Sequence, residues 1–331
     1  MTTKQPSIAR LNHVAVAAAL ALGCGAALAL PTVNLTGSSY NTVAASNSGT
    51  ISNSLGTVTF NNSSFQPTGT GVFNPFLRLD VKGNSADEQG YNTSATKSTG
   101  TGNNVTTRKI LDNMSPVNWT HDVLISDLEL TADGNYYQFQ LDINEPGGTK
   151  SLISLDGLKL YSTATPSPSD ETLNSRSNPP NVGGDWQGLT GSGGTLLWDM
   201  DLGSTALNDT KDRSVLLDAT LNGGPGSGRS DMVMLVDKAV IDLAIQTKPL
   251  EKYFVLWSRF GLEQAANTSA STADAGFEEW SYKLKSGSTT PPNPGGGGGV
   301  PTPGTMPLAL LALMVLGFRQ RAVANKASFT A

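Results

Sequence analysis

Along most of the chain, apolar residues recur at every second position in short runs, and the runs are separated by Gly, Pro, Asn and Asp. That period puts one set of side chains on each face of a pleated strand. It is visible from Gly56 to Phe60, Phe76 to Val81, His121 to Ile125, Tyr136 to Ile143, Leu196 to Met200, Ser214 to Ala219, Asp231 to Val236 and Tyr253 to Ser258. Two further runs, Leu152 to Leu155 and Leu158 to Tyr161, flank Asp156-Gly157, a dipeptide that favours the tight turn of a hairpin. Helical periodicity is weak, and a brief helix is expected only near Phe260 to Ala266. Many short strands with turn signals between them predict an all-β fold: an antiparallel two-sheet β-sandwich, jelly-roll-like.

The regions between these runs set the expected organisation. Residues 30–70 are rich in Ser, Thr, Asn and Gly and read as a polar lead-in with edge strands, ahead of a sandwich domain over 71–286. Residues 92–106 and the Pro/Ser/Gly-rich stretch from Ser162 to Ser192 read as long surface loops. On the strand from Tyr136 to Ile143, Tyr137 and Phe139 share one face and are expected in the core. That leaves Tyr136 and Gln138 pointing outward as candidate ligand-binding residues.

Composition narrows the chemistry. With 36 glycines and 18 prolines in 331 residues, the chain is too turn-rich for a helical bundle, yet it carries enough Val, Leu, Ile and aromatic residues for one sizeable core. A formal net charge of −5 gains nothing from counterion release on a polyphosphate, so nucleic acid is not an expected partner. The one cysteine, Cys24, lies in an N-terminal apolar stretch, and the histidines are His13 and His121. No CxxC zinc site, disulfide framework or thiol nucleophile is expected, and a Ser-His-Asp triad would rest on His121 without a GxSxG elbow.

Both ends carry export signals. Lys4 and Arg10 precede an apolar stretch from Val14 to Leu28 that ends in Ala27-Leu28-Ala29, the small-residue pattern of a secretory signal cleaved after Ala29; residues 1–29 are read as that signal peptide. At the other end, residues 287–299 form a Pro/Gly-rich linker closing in Gly295 to Gly299. Then follow Val300-Pro301-Thr302-Pro303-Gly304-Thr305, an apolar run over 306–318, and Arg319 and Arg321. As an α-helix that run is about 20 Å long, short for a hydrocarbon core of about 30 Å, and the arginines after it favour an N-out, C-in orientation.

The segment 300–331 resembles the PEP-CTERM sorting signals, whose pattern is Val-Pro-Glu-Pro-Gly-Thr, a hydrophobic helix and an arginine cluster. Here Thr302 stands where that family has Glu, and Pro307 falls at the start of the helix. The resemblance implies a Gram-negative, exopolysaccharide-forming source and an exosortase-type membrane transpeptidase as partner. It also implies passage from inner-membrane anchoring by the C-terminus to the cell surface or extracellular matrix.

Several clusters within the predicted sandwich suggest chemistry. Asp142 and Asn144 end the aromatic strand, and Asp133 and Asn135 precede it across a turn; together they offer oxygen ligands of the kind calcium takes, without EF-hand spacing. Glu278 and Glu279 beside Trp280 bring to mind a glycosidase's paired carboxylates, but adjacent strand residues face opposite ways. No catalytic residues are assigned. The expectation is a non-enzymatic surface or matrix protein associated with exopolysaccharide or biofilm, the alternatives being a secreted polysaccharide-active hydrolase or a purely structural matrix component.

Overall fold

The computed structural model describes residues 32–39, 43–63, 75–79, 88–99, 106–109, 119–169, 194–203, 212–221, 230–261, 273 and 277–283. The signal with Ala27 and Ala29, the linker, and the tag from Val300 to Arg321 lie outside the described residues. Among the described residues the protein is the all-β, two-sheet structure that the alternation predicts.

The first sheet is centred on a long antiparallel pair, β10 (Leu152–Thr163) and β14 (Tyr253–Phe260). Beyond β10 lie β12 (Val215–Asp218), then β1 (Val33–Asn34), and beyond β14 lies β5 (Glu88–Tyr91). Two strands pair off this path, β11 (Gly194–Asp199) with β10 and β8 (Val123–Leu124) with β14. The second sheet runs β2 (Ser48–Asn53), β3 (Gly56–Asn61), β13 (Met232–Asp237), β9 (Tyr136–Ile143), β15 (Glu278–Tyr282), β4 (Leu77–Leu79). Within the expected lead-in, β1 adds an edge strand to one sheet and β2–β3 the edge of the other.

The core is the layer between the sheets, filled by the alternate residues that the pattern assigned to it. Tyr137, Phe139, Leu141 and Ile143 on β9 all point inward and are buried. Phe139 stacks on Phe254 of the opposite sheet at 5.0 Å between ring centres. Trp280 is fully buried, and its Nε1 donates to Ser258 Oγ across the layer at 3.1 Å, so the indole N–H is satisfied where water is excluded.

Two expectations need correction. Asp156-Gly157 is not a turn: Leu152–Thr163 is one strand, and a register shift between Leu155 and Gly157 against β14 absorbs the irregularity as a bulge. Gly157 serves packing, since a Cβ there would stand 2.8 Å from Trp257 Cζ3. Secondly, part of the loop expected over 92–106 is a hairpin of β6 (Thr96–Thr99) and β7 (Thr106–Lys109); solvated Thr/Lys alternation lacks the apolar face by which strands were recognised. The one α-helix among the described residues is not among the expectations. Strand β14 continues through Phe260, residues 262–266 lie outside the described residues, and α1 spans Lys238–Thr247 directly after β13. Val240, Ile241 and Ala244 form its buried stripe, and Pro249 follows the end.

Candidate functional site

The outer face of the second sheet gathers most of the singled-out polar residues. With Tyr137 to Ile143 inward, alternation turns Tyr136, Gln138, Gln140 and Asp142 of β9 to the other side. Register extends this face sideways. Gln140 lies opposite Val233 and Ser281, and Asp142 opposite Glu279, which in turn lies opposite Arg78. On β2 and β3 the same face carries hydroxyls, with Thr50 bonded to Thr59 at 3.1 Å and Ser52 to Thr57 at 3.0 Å.

Burial divides the face. Tyr136 and Gln138, the expected ligand-facing pair, are half-buried, whereas Gln140, Asp142 and Glu279 are buried although they point away from the core. Arg78 closes the row: its guanidinium carbon stands 3.4 Å from the centre of the Phe277 ring and 5.9 Å from that of Trp119. Arg78 Nε is 3.9 Å from Glu279 Oε1, too long for a hydrogen bond.

That geometry decides the electrostatics. Burial drives the Glu279 carboxyl up to about 7, Arg78 opposing it and Asp142 adding to it. Asp231, just ahead of β13, accepts from the Ile143 N–H at 2.9 Å, yet burial, with Asp142 and Asp218 nearby, pushes it up to about 8. Two carboxyl groups thus titrate near neutrality around Asp142, the arrangement that lets a buried acid carry a proton at pH 7.

The four calcium candidates are not brought together. Asp133 and Asn135 sit at one end of β9 and Asp142 and Asn144 at the other, about 20 Å apart along an extended strand. Asp133 is further engaged within its own turn. Its Oδ1 accepts from Thr131 Oγ1 at 2.5 Å and from the Asn135 N–H at 3.2 Å, and its Oδ2 from Asn135 Nδ2 at 3.1 Å. These bonds, Thr131's first, hold its carboxyl below the ordinary value. Among the described residues no group of three His, Cys, Asp or Glu is arranged to hold a metal. Glu278 and Glu279 do face opposite ways, Glu278 opposite the inward Ile143 and Glu279 opposite Asp142.

The outer face of the first sheet holds a second cluster that the sequence reading did not assemble. Tyr91, Tyr161, Val255 and Trp257 pack together there, all buried. Tyr91 Oη and Thr93 Oγ1 donate to the Pro168 carbonyl at 3.2 and 2.7 Å, so the start of the Pro/Ser-rich stretch is fastened down at this point. Beside them Lys159 Nζ meets Asp199 Oδ2 at 3.0 Å, both side chains almost wholly buried. Alternation within β10 and β14 carried this signal, but on both faces of one strand it reads as core.

Comparison with protein-family models, with curated proteins and with solved structures finds no match for this chain.

Proposed function

We propose that this is an exported surface or matrix protein of an exopolysaccharide-forming bacterium, sorted by an exosortase-type transpeptidase, whose sandwich associates with polysaccharide without turning it over. The observation that carries the reading is the order of parts after the sandwich: the Pro/Gly-rich linker, Val300 to Thr305, the apolar run over 306–318, then Arg319 and Arg321. Such a run is a marginal membrane anchor, suited to temporary holding before cleavage. The polar outer face of β9, β13 and β15 supports the second half. Amides, hydroxyls and the half-buried Tyr136 are groups that hydrogen-bond and stack on sugars.

The test is production of the chain in an exopolysaccharide-forming Gram-negative host with and without its transpeptidase. A chain shortened near Thr305 and found at the surface is expected with the enzyme. A full-length chain in the inner membrane is expected without it, or with Pro301→Ala/Pro303→Ala. Recovery from the cytosol with residues 1–29 intact sinks the reading. For the sandwich, Tyr136→Ala/Gln138→Ala should weaken co-sedimentation with the host's polysaccharide.

One observation favours a hydrolase as the second reading. Asp142 and Glu279 are direct cross-strand partners, and Glu279 is protonated up to about pH 7, as a general acid must be. Release of reducing ends from the polysaccharide, abolished by Glu279→Gln, would establish it in place of simple binding.

A further inference from the structure

One end of the sandwich combines exposed aliphatic side chains with the point where the chain leaves toward its C-terminal apolar run. Helix α1 and the turn after it carry Leu243, Ile245 and Leu250, which are 58%, 45% and 76% exposed. These are the three large apolar side chains most open to solvent among the described residues, ahead of Leu221 at 40%. Lys248 and Lys252, both exposed, flank Leu250.

The same end releases β15. Lys283 follows its last residue, its N–H donating to the Gln138 carbonyl at 3.2 Å. Two bonds then tie this exit to the aliphatic turn through one short segment: the Ile125 N–H donates to the Lys252 carbonyl at 2.9 Å, and the Glu129 N–H donates to the Lys283 carbonyl at 3.1 Å. The two donors are four positions apart in the chain, so at full extension they stand at most about 14 Å apart, and less here because Ile125–Asp127 is a 3₁₀ turn. Leu250 therefore lies within a few residues' reach of the exit. From Lys283 to Met306 runs a Gly/Pro/Ser/Thr-rich stretch, and linkers of that composition and length have a root-mean-square reach of about 25 Å.

We propose that this end of the sandwich, with Leu250 at its tip, is a membrane-facing surface that rests on the lipid interface while the C-terminal apolar run is in the bilayer. The inference rests on the anchor reading above. Charge does not drive the contact. Glu129 pairs with Lys283 at 3.6 Å and Lys238 pairs with Asp242, while the charges of Asp237 and of Glu251, which accepts from Ser162 and Thr195, offset those of Lys248 and Lys252, so the end has no net basic field. The attraction is burial of aliphatic area, with the Lys248 and Lys252 stems lying along it and their ammonium groups at the headgroups. The contact should therefore survive high salt and form on zwitterionic as well as anionic lipid.

The test uses the chain from Leu30 onward, as it exists once the signal is removed and therefore without a native cysteine, carrying a single new cysteine labelled with an environment-sensitive fluorophore. One site is Pro249→Cys, beside Leu250, and the other is Thr220→Cys, exposed after β12 at the opposite end of β10. The chains are floated with phosphatidylethanolamine–phosphatidylglycerol vesicles and with phosphatidylcholine vesicles. Supporting results are a blue shift and quenching by lipid-borne quencher at 249 but not at 220, in both lipids. Leu250→Ser should then lower the docked-to-undocked ratio by about tenfold, the factor for withdrawing one buried leucine. A chain that floats while both labels stay solvent-like overturns the membrane-facing end and leaves the anchor standing. So does a shift at 249 that grows with protein concentration without lipid, which would make a second copy the occupant. A chain that does not float overturns the anchor and, with it, this inference.

Discussion

Replacing Glu279 by glutamine removes a carboxyl group that the fold holds protonated, and the structure sets both the sign and the size of the effect. Burial raises this group from 4.5 to about 7, against the pull of Arg78. Between those values the folded chain binds a proton that the unfolded chain has released, so stability is full below the unfolded value and is lost as pH rises through the folded one. At about 1.4 kcal/mol per unit, the loss attributable to Glu279 is at most about 3 kcal/mol. Glutamine mimics the protonated form in volume and hydrogen-bonding capacity and does not titrate. Urea unfolding followed from about pH 5 to about pH 8 should therefore show the parent losing some 2 kcal/mol more than Glu279→Gln. Asp231, raised to about 8, bends both curves alike, which is why the difference is the quantity to read. Parallel curves would refute the argument. So would a variant weaker than the parent at the alkaline end, which would mean that the Arg78 pair outweighs desolvation.

Other outcomes follow from single contacts. Lys159→Met strands Asp199 in an apolar setting and should cost about 3–5 kcal/mol, while Lys159→Met/Asp199→Leu should recover most of it in a double-mutant cycle; additive losses would show that the pair is not coupled. Gly157→Ala forces a methyl group into the Trp257 ring and should lower stability by about 1–3 kcal/mol in thermal melting, where no change would show that the ring moves freely. Any calcium-dependent rise in melting temperature carried by Asp142 should persist in Asp133→Ala, because the two lie at opposite ends of β9; joint loss would contradict the geometry.

The local alternation of apolar and polar residues located nine of the fifteen described strands, β3, β4 and β8 to β14, but did not delimit β1, β2, β5, β6, β7 or β15, whose short or polar runs carry little alternation. On Tyr136 to Ile143 even the inward and outward sets are right, because pleating is a property of the strand itself and one face must meet the core. The same rule misled at Asp156-Gly157. A turn dipeptide folds back only when its flanking runs prefer each other, and here the first run pairs with β12 and the second with β14 and β11, with the Trp257 ring supplying the reason for glycine. Helix α1 was passed over because ten residues carry too short an apolar stripe to stand out beside β13. The export signals proposed for the two ends rest on composition alone and lie outside the described residues, since what a bilayer reads is length and hydropathy.

What needed tertiary structure was adjacency. Arg78, Asp142 and Glu279 are far apart in the chain and become neighbours through strand register, and their shared burial then moves the Glu279 carboxyl toward neutrality. The same holds for Lys159 with Asp199, and for the meeting of Leu250 with the exit of β15. Sequence carries each residue's own preference; pairing across long loops depends on which strands compete best for the same partners, and no local pattern encodes that.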